Sequence, residues 1–382
     1  MKEEKVKLKV ILPVLLSYIV MGFVDVVGVS TGFAKRDFDL SPEMAQLLPS
    51  MVFVWFFFLS IPVAVLQHNV GKKKVLLYGI FFTALGMFLP FIYYSYVILL
   101  VSFILLGIGN TIIQVSSNPL LQDVVREDRF SSYMSLSQFI KAISSLLGPI
   151  IVTFMVSYYG DWKLVFLVYG FTSLLVASWL IITKVDETTS ELKASFGSSL
   201  RLLKNPFVAF MVFAIFLIVG IDVGINTNIQ NLLTQQFGIT LEKASIGISI
   251  YFAALMITRF LGAILFSKID NLKFLVWSSL ITVFLISGLL FSTSATMSYT
   301  LIFLIGLSSG NLFPLIFSLT ISKMPERANE ISGLMIMAVV GGAVIPPVMG
   351  LINKSYGIQF SFIVLIVSAL YVFSTYFKLK SK

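Results

Sequence analysis

Four charged residues lie inside stretches that are otherwise apolar and helical: Asp25, Lys141, Asp222 and Arg259. An isolated charge in hydrocarbon costs several kcal/mol, so such residues pair with one another, face water or mark a pathway for ions or ligands. Asp25 and Asp222 each sit upstream of the same short pattern. Phe38-Asp39-Leu40-Ser41-Pro42-Glu43-Met44-Ala45 and Phe237-Gly238-Ile239-Thr240-Leu241-Glu242-Lys243-Ala244 both read F-x-[L/I]-[S/T]-x-E-x-A, 199 residues apart. The chain is therefore a tandem repeat with one buried acid in each copy, the pattern expected of two similar bundles facing a central site in a secondary transporter. A carboxylate in such a place changes its proton affinity with burial and with neighbouring charge, which is the chemistry of coupling to a cation. At 1.5 Å per helical residue, Asp25 lies roughly 22 Å and Lys141 roughly 17 Å from the cytoplasmic ends of their helices, so an Asp25 and Lys141 ion pair is expected. Asp222 lies roughly 24 Å up and Arg259 only about 10 Å, which separates them and leaves Arg259 near the cytoplasmic gate.

Around these charges run amides. Asn110, Gln114 and Asn118 recur every four residues and share one helix face. Asn226, Asn228, Gln230 and Asn231 follow Asp222. A stripe of Asn and Gln in an apolar helix faces water or ligand, or else bonds to a neighbouring helix. Trp55, in the aromatic run Phe53 to Phe58, offers a face on which a sugar ring stacks.

The elements that hold these residues are set by composition. Hydrophobic residues make up 58% of the 382 residues and charged residues 12%, and the mean hydropathy is +0.97; a water-soluble core cannot hide that much apolar surface. Hydropathy and punctuation give twelve membrane-length segments: 10–34, 43–66, 74–94, 97–121, 130–157, 162–183, 206–235, 244–266, 272–292, 298–321, 328–353 and 358–377. The apolar run after the basic start continues to Phe33 without a cleavage site, so it is read as the first span and not as a signal peptide. With both termini in the cytoplasm, 20 of the 27 Lys and Arg fall on that side, against Lys35, Arg36, Lys163, Lys243 and Lys354 opposite. The expected organisation is an N-terminal six-helix bundle over 1–183, a polar cytoplasmic linker over 184–205 and a C-terminal six-helix bundle over 206–382.

Several classes are excluded. The net charge of +9 is spread between helices and does not form the basic face that nucleic acid needs. With no cysteine, one histidine and no acidic cluster, the chain lacks the nucleophile or metal ligands of a membrane-embedded enzyme. No cofactor or metal site is expected; the ion is a co-transported proton or sodium, with Asp25, Gln114 and Asp222 as its candidate residues and Asp25, Asn110 and Gln114 as the oxygen donors sodium would use.

Several stretches resemble the fucose, galactose and glucose proton symporters of the major facilitator superfamily. Ile215-Phe216-Leu217-Ile218-Val219-Gly220-Ile221-Asp222-Val223 is similar to that family's IFLYVGxEV, with Asp for Glu. Phe313-Pro314-Leu315-Ile316-Phe317-Ser318-Leu319 resembles its YPTIFSL, Arg259-Phe260-Leu261-Gly262 its GRFxG, and Val340 to Gly350 its GGGIVTPVMG. Asn118-Pro119 matches the end of ETAANP, but Gln114 stands where that motif has its acid. Counting back from Phe38 puts the family's first-helix Asp at Gly28, three residues after Asp25, and counting back from Pro149 puts Lys141 where the family has a substrate-contacting Asn.

The resemblance implies the major facilitator fold, all-α and integral to the membrane, with twelve helices in two pseudo-symmetric bundles. It further implies cation-coupled import of a monosaccharide or sugar derivative by alternating access, as a monomer in the lipid bilayer of the bacterial inner membrane; export of drugs or other metabolites on the same fold is the alternative. The expected ligand contacts are Asn110, Gln114, Asn118, Lys141, Asn226, Gln230 and Trp55. The expected gating elements are Arg259, the close-packing pair Gly341 and Gly342, and Pro346, which breaks backbone bonding. An ammonium at Lys141 in place of an amide favours an anionic ligand such as a sugar acid.

Overall fold

The structure, a computed structural model, describes residues 8–40, 42–188, 196–239 and 241–380, and the side chains of a further few within helices, Glu43, Gln230 and Glu242 among them, lie outside the described set. Half of each copy of the repeated pattern therefore falls on side chains outside that set. Twelve helices are long and apolar enough to cross a membrane, and no strand occurs among the described residues. Uninterrupted spans are the second, Pro42–Val70; third, Lys72–Ile92; fourth, Tyr96–Val124; fifth, Phe130–Tyr159; sixth, Leu164–Ile182; seventh, Pro206–Phe237; eighth, Leu241–Leu265; and ninth, Asn271–Leu290. The ends follow local chemistry. Ser95, Asn205, Asp270 and Ser294 cap helix starts by accepting from exposed backbone N–H groups. The seventh span stops at Gly238, whose φ of 64° suits glycine.

The other spans are broken in ways the sequence expectation of continuous helices does not contain. The first runs Leu8–Gly22, tightens into a 3-10 turn at Phe23–Asp25 and resumes as Val26–Asp37. The tenth is split between Ala295–Ser309 and Leu312–Lys323, and the eleventh between Ala328–Met337 and Gly341–Tyr356 by a 3-10 turn at Ala338–Val340. The twelfth begins as a single turn, Ile358–Ser361, before Ile363–Lys380.

The chain forms two compact units. One comprises Met1–Phe130, Ile140–Leu200 and Met324–Met337, and the other Ser131–Phe139, Arg201–Lys323 and Ala338–Lys382. The fifth and eleventh spans are thus each shared out between units, whereas the sequence expectation divides the chain at 184–205.

Within the first unit, prolines dictate much of the cross-linking between helices. A proline has no N–H for the carbonyl four residues before it, and hydrocarbon supplies no water in its place. Pro90 frees the Gly86 carbonyl, which accepts from the Ser102 hydroxyl at 2.6 Å. Pro119 frees the Val115 carbonyl, which accepts from Ser332 at 2.9 Å. At one end of this unit, Lys72 and Asp123 form a buried ion pair at 2.5 Å. Glu187 accepts from the backbone N–H groups of Lys72 and Lys73 at 2.5 and 3.1 Å, an anion at a helix N-terminus, and Thr188 bonds to Asp123. The short helix Phe196–Leu202 is fixed by Ser198, which donates to the buried Glu330 that Arg327 also contacts.

At the opposite end of this unit, Asp37 gathers three donors: Trp162 Nε1 at 2.8 Å, the Tyr94 hydroxyl at 2.9 Å and Arg36 at 2.9 Å. Phe33 stacks on Trp162, and Phe38 packs at a tilt against Tyr94. Burial pushes the Asp37 carboxyl up, but the bonds from Trp162, Arg36 and Tyr94 outweigh it and hold the group below its ordinary value. Burial first, and the Asp37 carboxylate second, push Tyr94 upward, so it remains a donor.

In the second unit, Gly341 allows backbone to meet backbone: a Cβ there would lie 2.0 Å from the Phe216 carbonyl oxygen, and one on Gly342 would lie 2.8 Å from Val223. Pro346 sits inside the helix that follows.

Two outcomes test these contacts. Ser332→Ala strands the Val115 carbonyl and is expected to cost about 1–3 kcal/mol, read as a lower melting temperature in detergent, while Ser374→Ala, at a carbonyl that no proline frees, changes it little. Because the folded Asp37 value is depressed, its contribution is full above the ordinary carboxylate pKa of about 3.9 and is lost as pH falls through the lower folded value. Melting curves from pH 6 downward should therefore drop more steeply in the native chain than in Asp37→Asn.

Candidate functional site

The most developed polar site in the first unit surrounds the break in the first span. Gly22 ends the leading helix where the fifth span passes so close that a Cβ would lie 2.7 Å from the Lys141 carbonyl oxygen and from Ser144 Cβ. Two carbonyls of the first span are taken up by side chains of its neighbours. Ser144 donates to Ile19 O at 2.7 Å, and Asn110 Nδ2 to Met21 O at 2.7 Å. The 3-10 turn then ends on Asp25, which is exposed and whose carboxylate accepts from the Ser145 hydroxyl. Ser145 lies one helical turn after Lys141 and also reaches the Lys141 carbonyl at 3.0 Å. Lys141, half-buried, thus shares its helix face with the residue that holds the acid; among the described residues the ion pairs do not include Asp25 with Lys141.

The amide stripe of the fourth span is a ladder. Gln114 Nε2 donates to Asn110 Oδ1 at 2.7 Å, Asn118 Nδ2 to Gln114 O at 3.0 Å, and Tyr18 of the first span to Asn118 Oδ1 at 2.7 Å. Asn110 and Asn118 are 0% and 1% exposed, and Gln114 keeps 7%. The stripe therefore bonds the fourth span to the first through its outer members, and Gln114 has the most open position of the three. Trp55 is half-buried, and its indole N–H is buried without a hydrogen-bond partner among the described residues.

The acid of the second unit sits differently. Asp222 accepts from the Tyr251 hydroxyl at 2.6 Å, and Tyr251 is fully buried. Asn226 is half-buried; Asn228 turns back to Gly224 O at 3.0 Å and to the Met349 sulfur at 3.7 Å. The side chain of Gln230 lies outside the described residues. Arg259 Nε donates at 3.2 Å to the Gly310 carbonyl, the one that Pro314 frees, and the Arg259 carbonyl accepts from Ser135 at 2.6 Å. Asn311, 1% exposed, completes this knot through Thr258 O at 2.5 Å and Ser135 at 2.6 Å.

Sequence reasoning did not single out Ser145, Tyr18, Tyr251 or Asn311. Serine and tyrosine are common in membrane helices and carry no charge, so nothing local distinguishes them. Asn311, between Gly310 and Pro314 at a helix break, had the only readable signal. Among the described residues no group of three or more His, Cys, Asp or Glu is placed to hold a metal ion.

The sequence pattern of the Major Facilitator Superfamily matches residues 14–339 and 212–382. A glucose/galactose transporter of Brucella abortus is 24% identical over 358 residues, covering 88% of this chain and 86% of that one. The L-fucose-proton symporter of Escherichia coli is 23% identical over 360 residues, covering 85% and 82%. A crystal structure of the E. coli fucose:proton symporter superposes with a TM-score of 0.85 at 19% identity, covering 97% of this chain and 98% of that one. The human organic anion transporter MFSD10 superposes at 0.76 with 13% identity, covering 97% and 99%. At these identities the superpositions establish the fold.

Removing the hydroxyl in Tyr251→Phe deprives Asp222 of a charge-assisted bond and is expected to destabilise the protein by about 1.5–3 kcal/mol. Thermal unfolding of the purified protein in detergent reads this directly, and an unchanged midpoint would show that Asp222 does not depend on Tyr251.

Proposed function

Because the chain belongs to the Major Facilitator Superfamily, we propose that it is a secondary active transporter that brings a monosaccharide or sugar derivative into the cell together with a proton, by alternating access. The relatives named as glucose/galactose and L-fucose-proton transporters support the substrate class. The observation that carries the reading is Asp25: an exposed carboxylate at a 3-10 break in a membrane span, bonded to one hydroxyl. A group so placed has water access, a hinge beside it and a small set of partners, which is what a reversible proton site needs.

A proton is favoured over sodium in this reading. The named proton symporter among the relatives supports this choice of ion, and among the described residues Asn110 Oδ1 and Asp25 Oδ2 each already accept a hydrogen bond. Asp222, closed in by Tyr251, acts as a structural acceptor in this reading, and Asp25 alone carries the coupling proton. Gln114, Trp55 and Lys141 contact the sugar, whereas Asn110 and Asn118 position the helix that presents Gln114. Asn226 and Gln230 supply contacts from the seventh span. Arg259, Gly341, Gly342 and Pro346 serve the gating movement: Arg259 binds the Gly310 carbonyl at the break of the tenth span, the two glycines allow close helix approach, and Pro346 lacks the N–H of a regular helix.

This reading includes two bundles over 1–183 and 206–382 joined by 184–205, a monomer in the bacterial inner membrane, both termini in the cytoplasm, and no enzymatic activity. Lys141 narrows the substrate to sugar acids.

Purified protein in proteoliposomes, supplied with labelled neutral and acidic sugars under separately imposed proton and sodium gradients, tests it. An inward proton gradient should drive accumulation, and Asp25→Asn should reduce that by a factor on the order of 5–150, the usual range of coupling between two ligands. Lys141→Asn should shift preference from acidic to neutral sugars. Uptake driven by sodium alone overturns the choice of ion, neutral-sugar uptake indifferent to excess sugar acid overturns the role of Lys141, and outward flux under every gradient overturns import.

A further inference from the structure

The turn that carries Asp25 adjoins a second hydroxyl that the acid does not use. Tyr169, in the sixth span, is 2% exposed, and its hydroxyl has no hydrogen-bond partner among the described residues. Its ring lies flat against Phe23, two residues before Asp25 in the same 3-10 turn, with centroids 3.8 Å apart and planes 8° from parallel. The hydroxyl sits in the seam between this turn and the fifth span: a Cβ on Gly148 would lie 2.9 Å from it, and Gly148 falls three residues after Ser145, on the same helix face. It is also within electrostatic reach of Asp25. A buried hydroxyl left unpaired is unfavourable, and polar groups in such a position normally find a partner.

We propose that Tyr169 is the positioning residue for the protonated form of Asp25, so that the acid alternates between Ser145 when ionised and Tyr169 when neutral. This deepens the proton-coupled reading and rests on it. The physical cause is the difference in desolvation between the two forms. An ionised carboxylate stays at the exposed edge, bonded to Ser145 on the face that carries Lys141. Proton uptake from water removes the charge and breaks no other covalent bond. The neutral carboxyl then carries both an O–H donor and a carbonyl acceptor, and burying it costs far less. It turns into the seam and pairs with the Tyr169 hydroxyl. The 3-10 turn supplies the movement, since re-pairing from i+3 to i+4 redirects its last residue. Lys141 of the fifth span and Tyr169 of the sixth are the titratable groups at this level; the fourth span presents amides, and Tyr18 of the first is held by Asn118. In the resumed helix Val26–Asp37 the charged residues lie at its far end.

Infrared difference spectroscopy of the full-length protein in lipid, recorded across a pH titration with isotopically labelled aspartate and with Asp25→Asn to assign bands, tests this without any substrate. Tyr169→Phe keeps the stacked ring and removes only the hydroxyl. It should move the carbonyl stretch of protonated Asp25 to higher wavenumber, leaving the carboxylate stretch in place, whereas Ser145→Ala should do the reverse. An Asp25 carbonyl band unmoved in Tyr169→Phe overturns the proposal, as does the absence of any Asp25 protonation band. Because the readout needs no sugar, failure of sugar uptake in proteoliposomes leaves this result standing and identifies the substrate assignment as the part at fault.

Discussion

A helix in hydrocarbon must satisfy its own backbone, and every feature that interrupts this ladder creates a debt that another side chain has to settle. Pro90, Pro119 and Pro314 each remove an N–H and release a carbonyl, and each released carbonyl is bound by a side chain from a different span: Ser102, Ser332 and Arg259. Prolines here cost helix continuity and gain fixed contacts between helices. The break at Phe23–Asp25 follows the same logic, with Asn110 and Ser144 reaching carbonyls of the first span just before the turn. Which helices touch, and where, is largely the outcome of this constraint.

The constraint also sorts polar residues into those that hold the protein and those left to work. Asn110 and Asn118 are consumed by bonds to the first span, and Arg259 and Asn311 by the knot around Gly310. Asp222, half-buried, accepts from Tyr251. After these are taken out, Asp25 stands apart as an exposed acid that accepts from the Ser145 hydroxyl, with Lys141 one turn from that serine; in the second span, Trp55 carries a buried N–H without a hydrogen-bond partner among the described residues. Asp25 and Asp222 therefore stand in unequal settings. The asymmetry lies in the partners: an exposed serine contact in one and a fully buried tyrosine in the other.

The loops at either end are also more than connections. The segment after the sixth span binds the start of the third through Glu187, and Asp37 draws together Trp162, Tyr94 and Arg36. Both are carboxylates meeting backbone or side-chain donors at helix ends, where such bonds are strongest.

Twelve spans and the intramembrane charges were legible in the sequence, because length and hydropathy are local quantities and a bilayer imposes a fixed thickness. The candidate acids were legible for the same reason: a lone Asp in an apolar run has no neutral explanation within its own helix. The break at Phe23–Asp25 was not, since the carbonyls just before it are bound by Asn110 and Ser144 of neighbouring spans. Nor were the roles of the amides, because Asn110 and Gln114 have the same local pattern whether they face a ligand or another helix. Sequence alone determined the membrane class, the repeat and where charge enters the bilayer. Tertiary structure alone decided which polar groups satisfy one another and which remain available, because hydrogen bonds between spans join residues as far apart as Val115 and Ser332, whose meeting no local pattern encodes.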